Sequence, residues 1–193
     1  LIKNIAAAAN EERAKALQRD IRVVVPLHEA GHVLMANLLG RDLPVLMPAL
    51  VPGPFGLRMA EHAGGAIELV GLDKTGIIDF CFGGYCAELA LYDESYLRRS
   101  DAPFFVNGDR AANDCISLVG KIGLPNAHAL MSELSAGGER ASSTVRTLFQ
   151  QHGIVTYRKI RSRRAQLINL AQELFDFWQA NNFARCTWCI PRS

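Results

Sequence analysis

Apolar positions at Ile160, Leu167, Leu170, Leu174 and Phe177 follow one another at helical intervals and predict a helix from Thr156 to about Asn181. The stretch from Ala6 to about Arg22, rich in alanine, glutamate, lysine and arginine, predicts another by composition. An apolar run from Leu27 to Leu39 predicts a third, opened by Pro26 and closed by Gly40. Proline tolerates only the first turn of a helix, and glycine favours the position just past the last. Thr75 to about Leu91, Ala111 to about Ile122 and Ser132 to Gln151 carry the same helical pattern, with Gly123 and Pro125 stopping the second of these. Residues 92 to 108 read as a polar connection.

The pattern changes between Leu43 and Met59. Pro44, Pro48, Pro52 and Pro54 exclude a helix there, while Val45, Leu46, Leu50 and Val51 suit short strands. Gly53 to Gly76 reads as loop and edge strand. The expected fold is therefore mainly α with a small irregular β-sheet. Neither a fixed-period repeat nor a dividing linker interrupts it, so residues 1–193 are expected to form one domain, with 1–20 as an N-terminal helix or arm.

Composition narrows the class. A chain of 193 residues that is 49% hydrophobic and 21% charged has the make-up of a folded globular domain, long enough to bury a core without disulfides or metal staples. The 21 basic and 19 acidic residues leave a formal charge of +2, too little for a field that would draw nucleic acid or acidic membranes. Apolar stretches such as Phe80 to Ala87 fall well short of the roughly eighteen residues a membrane span needs. No nucleic-acid partner and no membrane span are expected. The opening residues, with Ala6 to Ala9 beside Glu11, Glu12 and Arg13, show no signal-peptide pattern. Cys81, Cys86, Cys115, Cys186 and Cys189 make an odd count without framework spacing, which predicts reduced thiols and a cytoplasmic location. Cys186 and Cys189 form a C-x-x-C with no second pair, a poor basis for a metal site.

The chemistry is concentrated at His28-Glu29-Ala30-Gly31-His32. Residues four apart share a helix face, so His28 and His32 can aim both imidazoles at one metal ion while Glu29 stands beside them. Zinc held by three protein ligands keeps a position for water, lowers its pKa toward about 7 and polarises a carbonyl, and Glu29 is then the general base. Gly31 between the ligands leaves room for close packing. H-E-x-x-H also arises by accident on amphipathic helices. Here the rest of the face is apolar, with Val33, Leu34, Leu38 and Leu39, and burying two histidines and a glutamate there without a metal is costly.

Arg22 to Gly40, with Leu27-His28-Glu29-Ala30-Gly31-His32, resembles the proteolytic domain of the FtsH-type ATP-dependent zinc proteases. Val51-Pro52-Gly53 followed by Gly56-Leu57-Arg58-Met59 resembles that family's proline-glycine segment and the strand bordering its active site. Phe82-Gly83-Gly84-Tyr85-Cys86-Ala87-Glu88-Leu89 is similar to its glycine-glycine helix, and Asn107-Gly108-Asp109 to the segment supplying the third zinc ligand. Together these segments cover about residues 20 to 180, of which only H-E-A-G-H is highly specific. The resemblance implies a zincin-like, FtsH-type peptidase domain that binds one Zn2+ per chain and hydrolyses peptide bonds in unfolded or peptide substrates.

The chain departs from that family in carrying no G-x-x-x-x-G-K-[ST] phosphate loop. Expected substrates are therefore flexible already, or delivered by a separate ATPase partner, and assembly into an oligomer stays open. A third ligand must come from outside the motif helix. The resemblance favours Asp109, with Asp114 and Glu88 as alternatives whose ordinary roles are helix start, solvated residue or structural hydrogen-bonder. Gly56, Leu57 and Arg58 are candidates for binding an extended substrate through main-chain hydrogen bonds.

Other residues carry weaker signals. His62, near Glu61 at the border of the expected site, reads as an exposed loop histidine rather than a substrate contact, His128 and His152 lack metal spacing, and Arg158, Lys159, Arg161, Arg163 and Arg164 read as the solvated face of an amphipathic helix. Two further readings of the whole chain stand beside the peptidase. One is a catalytically weak regulatory or binding module on the same fold, and the other a protease specific for one regulatory partner.

Overall fold

In the computed structural model, Asp20 starts the helix that carries the motif. Its side chain accepts from the Arg22 backbone N–H at 3.0 Å, and helix α3 runs Ile21–Leu38. The structure describes residues 1–54, 56–61, 63–65, 71–93, 95–96, 147 and 149–190. Pro26 therefore lies inside α3 rather than opening it, a correction to the sequence expectation. An interior proline costs about 3 kcal/mol through a lost hydrogen bond and a clash with the preceding turn. Burial of Val23, Val24, Leu27, Val33 and Leu34 on the same helix offsets that, each contributing roughly 1.5–3 kcal/mol. At the other end the sequence expectation holds. Gly40 is left-handed at φ 69°, its N–H reaches Asn37 O, and Arg41 N–H reaches Ala36 O, which satisfies the last carbonyls of the helix.

Five further helices accompany α3 among the described residues: α1 (Ile2–Ala7), α2 (Asn10–Arg19), α4 (Lys74–Ala90), α5 (Ile154–Arg161) and α6 (Arg164–Ala180). A π-helical segment, Phe149–Gly153, leads into α5. Two expected helices are split. Ala8 and Ala9 are extended between α1 and α2, and Ser162 and Arg163 interrupt the stretch from Thr156 to Asn181. The expected helices at Ala111 to Ile122 and Ser132 to Gln151 lie wholly or largely outside the described residues.

Helix α3 is the centre of the core, packed against α4 and α6 and touched by α2 and α5. Its approach to α4 is closest at Gly31 and Gly83. A Cβ at Gly31 would strike the Gly83 carbonyl oxygen and lie 2.6 Å from Ala87 Cβ, so the two backbones pass nearly in contact. Helix α5 is tied to α4 by Asp79, a buried carboxylate that accepts from Thr156 Oγ1 at 2.7 Å and pairs with Lys159 Nζ. Lys159, Arg161 and Arg164 are thus engaged within the molecule, the two arginines donating to backbone carbonyls near the end of α4, rather than merely solvated.

The β part is two small antiparallel sheets where one was expected. Strand β1 (Val45–Met47) is flanked by β4 (Gly64–Gly65) and by β5 (Cys186–Trp188), and β2 (Leu50–Gly53) pairs with β3 (Gly56–Met59) as a hairpin. The turn into β5 follows α6 through left-handed Asn182 and Phe183. The Phe183 N–H closes back on Trp178 O while its carbonyl accepts from Leu50 N–H, and Trp178 Nε1 donates to Pro48 O. These bonds hold the sheets against the helical core. Cys81, Cys86, Cys186 and Cys189 are free thiols, and burial pushes the Cys186 thiol up. Among the described residues no helix is long and apolar enough to cross a membrane.

Candidate active site

His28 and His32 lie one turn apart on α3, on the side facing α4. Each ring is fixed by its Nδ1 atom. His28 Nδ1 lies 2.9 Å from Glu88 Oε1, and His32 Nδ1 lies 2.9 Å from the Phe80 carbonyl oxygen. A carbonyl only accepts, so His32 Nδ1 carries the proton, and a carboxylate at Glu88 assigns the same tautomer to His28. In the neutral rings this leaves both lone pairs on Nε2. Those two Nε2 atoms face each other at 3.2 Å.

Two lone pairs cannot rest at that distance without a proton or a metal cation between them. Tetrahedral zinc with Zn–N bonds of about 2.0–2.1 Å separates two nitrogen ligands by about 3.3–3.4 Å, close to the spacing seen. A second partner on the far nitrogen, carboxylate or backbone carbonyl, is the usual support of a metal-binding histidine. The pair therefore fits a metal ion by both its spacing and its surroundings.

The two helices make room for the rings by losing side chains. A Cβ on Gly84 would lie 2.5 Å from His28 Cδ2 and Cε1, inside van der Waals contact, so the imidazole occupies space that only glycine leaves open. The Phe80 ring tilts against His32, with centroids 5.1 Å apart. Glu29, three residues before His32, shares its side of the helix and is only 5% exposed.

Glu88 holds a different place from the one considered for it as a third ligand. It is buried and sits at Nδ1 of His28, on the side of the ring turned away from Nε2. Asp109 and Asp114 lie outside the described residues, as do His62 and His128. Among the described residues no third histidine, cysteine or acidic side chain joins His28 and His32 in a metal-sized cluster. Gly56, Leu57 and Arg58 lie in β3, which touches α3; all three are exposed, Leu57 by 48%. His152 belongs to the π-helical segment before α5. The Phe80 carbonyl and Gly84 escaped functional notice in the sequence, where only the Gly83-Gly84 pair gave a signal. No known protein-family model, curated protein or solved structure matches the chain.

Proposed function

We propose that the chain is a zinc-dependent metalloendopeptidase with a zincin-like, FtsH-type peptidase fold, acting on peptide bonds in unfolded or peptide substrates without ATP. The observation that carries this reading is the pair of Nε2 atoms 3.2 Å apart, each ring braced through Nδ1. The H-E-A-G-H sequence supports it independently.

His28 and His32 are the zinc ligands, with a third from outside the described residues; Asp109 leads on resemblance, ahead of Asp114. Bound zinc supplies Lewis acidity, lowering the pKa of water toward about 7 and polarising a carbonyl. Glu88 and the Phe80 carbonyl keep the ligand nitrogens unprotonated and aimed. Glu29 takes the proton from the attacking water and returns it to the leaving amine. The exposed main chain at Gly56, Leu57 and Arg58 offers an edge along which an extended peptide can lie.

Glu29→Gln tests the mechanism. With zinc loaded in both proteins, cleavage of casein or a peptide library should fall by about 10²–10⁴-fold in the variant while zinc affinity stays within a few-fold. Equal cleavage by the two would sink the general-base role. A parent chain that binds zinc and cleaves nothing would favour the regulatory or binding module.

A further inference from the structure

The C-terminal end of α4 is held in an unusual way. A helix leaves its last carbonyls without intrahelical donors, and most chains meet that need with a glycine turn or with water. Here Ala90, Leu91 and Tyr92 are buried, so water is a poor donor, and the residue after the helix is Leu91 rather than glycine. Three guanidiniums supply the donors instead. Arg13 of α2 donates through Nη1 to Leu91 O at 2.9 Å. Arg161 of α5 donates through one nitrogen, Nη1, to both Ala90 O and Tyr92 O at 2.7 Å. Arg164 of α6 donates to Ala90 O at 3.1 Å and Leu91 O at 3.2 Å, and reaches Ala6 O in α1 at 3.1 Å.

The only carboxylate bonded to this group among the described residues is Asp93, which accepts from Arg13 at 3.2 Å and from the Asn10 side-chain amide at 2.9 Å. Arg164 is held below the usual guanidinium range by burial and by the charges of Arg13 and Arg161. Bringing three like charges together is unfavourable unless the groups they meet repay it, and here they meet the negative end of a helix dipole. The three arginines come from α2, α5 and α6, and Arg164 also bonds the Ala6 carbonyl of α1, so helices from both ends of the chain meet in this clamp.

Glu88 lies in the turn being clamped, two residues before Ala90, and it is the group that fixes His28 at Nδ1. We propose that the arginine clamp is a positioning device for His28, acting through Glu88: it fixes the last turn of α4 so that the carboxylate stays on the imidazole. This rests on the reading of His28 as a metal ligand. Arg161 is the residue to change, because its two short bonds bracket the turn from a single nitrogen.

The test is a double-mutant cycle on the whole chain, with Zn2+ affinity measured by competition against a chromophoric chelator. Loss of an outer-shell partner costs about 10–100-fold in metal affinity, so Glu88→Ala should fall in that range and Arg161→Met about tenfold. The double variant should bind within about threefold of Glu88→Ala alone, because the arginine has nothing left to position. Arg161→Lys should stay within about threefold of the parent, since one ammonium can replace contacts made by one nitrogen.

Unchanged affinity in Arg161→Met, or losses that multiply in the double variant, would overturn the proposal. The Nδ1 proton resonance of His28 in zinc-free protein reads the same contact without metal. It should persist in the parent and in Arg161→Lys and be lost in Arg161→Met; its persistence in Arg161→Met would also overturn the clamp. A parent chain that binds no zinc would sink the metal reading, while the proton resonance still decides the clamp. Arg13→Met, which removes the donor to Leu91 O, carries the same cycle where Arg161→Met does not fold.

Discussion

The Nε2 atoms of His28 and His32 face each other across 3.2 Å, with each ring's other nitrogen already committed, one to a carboxylate and one to a carbonyl. A proton or a metal cation shared between the rings would bridge these two atoms. Its supports come almost entirely from α4, which supplies Phe80, Gly84 and Glu88 within three turns. The site is therefore a property of the α3–α4 contact, and its most informative variants alter that contact.

Gly84→Ala places a methyl group against the His28 ring. Alanine is the better helix former by about 1 kcal/mol, so a purely local view predicts a more stable protein. The ring must move off Glu88 to admit the methyl group, and zinc affinity should fall by about 10–100-fold with helix content unchanged. Circular dichroism alongside zinc titration checks this; unaltered zinc binding would mean that the ring has room elsewhere.

Gly31→Ala acts on the fold. The added carbon meets the Gly83 backbone oxygen, which cannot swing aside as a side chain would. Separating α3 from α4 should destabilise the protein by about 1–3 kcal/mol or more, read as a lower urea midpoint at unchanged slope. A midpoint equal to the parent's would show that the two helices are not held this close in solution.

Asp20 gives the stability a definite pH dependence. Burial tends to raise its pKa, but the Arg22 side chain, the Arg22 N–H and the guanidinium charge together hold the carboxyl below the usual range. A carboxyl with a depressed folded pKa contributes stability that is full above its unfolded value, about 3.9, and is lost as pH falls through the folded one. Asp20→Ala should therefore cost about 1 kcal/mol at pH 7, mostly as a lost N-cap, and the gap from the parent should narrow below about pH 4. Denaturant unfolding of both proteins at pH 7 and pH 3 measures the gap; a constant gap would remove the charge from the account.

Much of this arrangement is legible in local sequence. Gly40 marks the end of α3, the prolines from Pro44 to Pro54 mark extended chain, and the run from Thr75 to about Leu91 marks α4 within a residue at each end. Gly31 reads as a close-packing position, and the structure supplies Gly83 as its neighbour. What local sequence hides depends on distant partners. Pro26 looks like a helix start because its usual penalty is local, whereas the burial that offsets it is tertiary. The break at Ala8 and Ala9 has no glycine or proline to announce it. Strand β5 exists through pairing with β1, about 140 residues earlier in the chain, which no local pattern announces. Glu88 shows the limit most clearly, since sequence can propose a carboxylate near a histidine but cannot say which ring nitrogen it meets.

The measurement that bears most directly on the proposed metal centre is zinc stoichiometry and affinity in the parent chain, His28→Ala and His32→Ala. One zinc should bind per parent chain, and each variant should lose at least about 100-fold in affinity, because one of the few proposed protein ligands is gone. A parent chain that binds no zinc, or variants that bind it as tightly as the parent, would contradict the proposed metal centre.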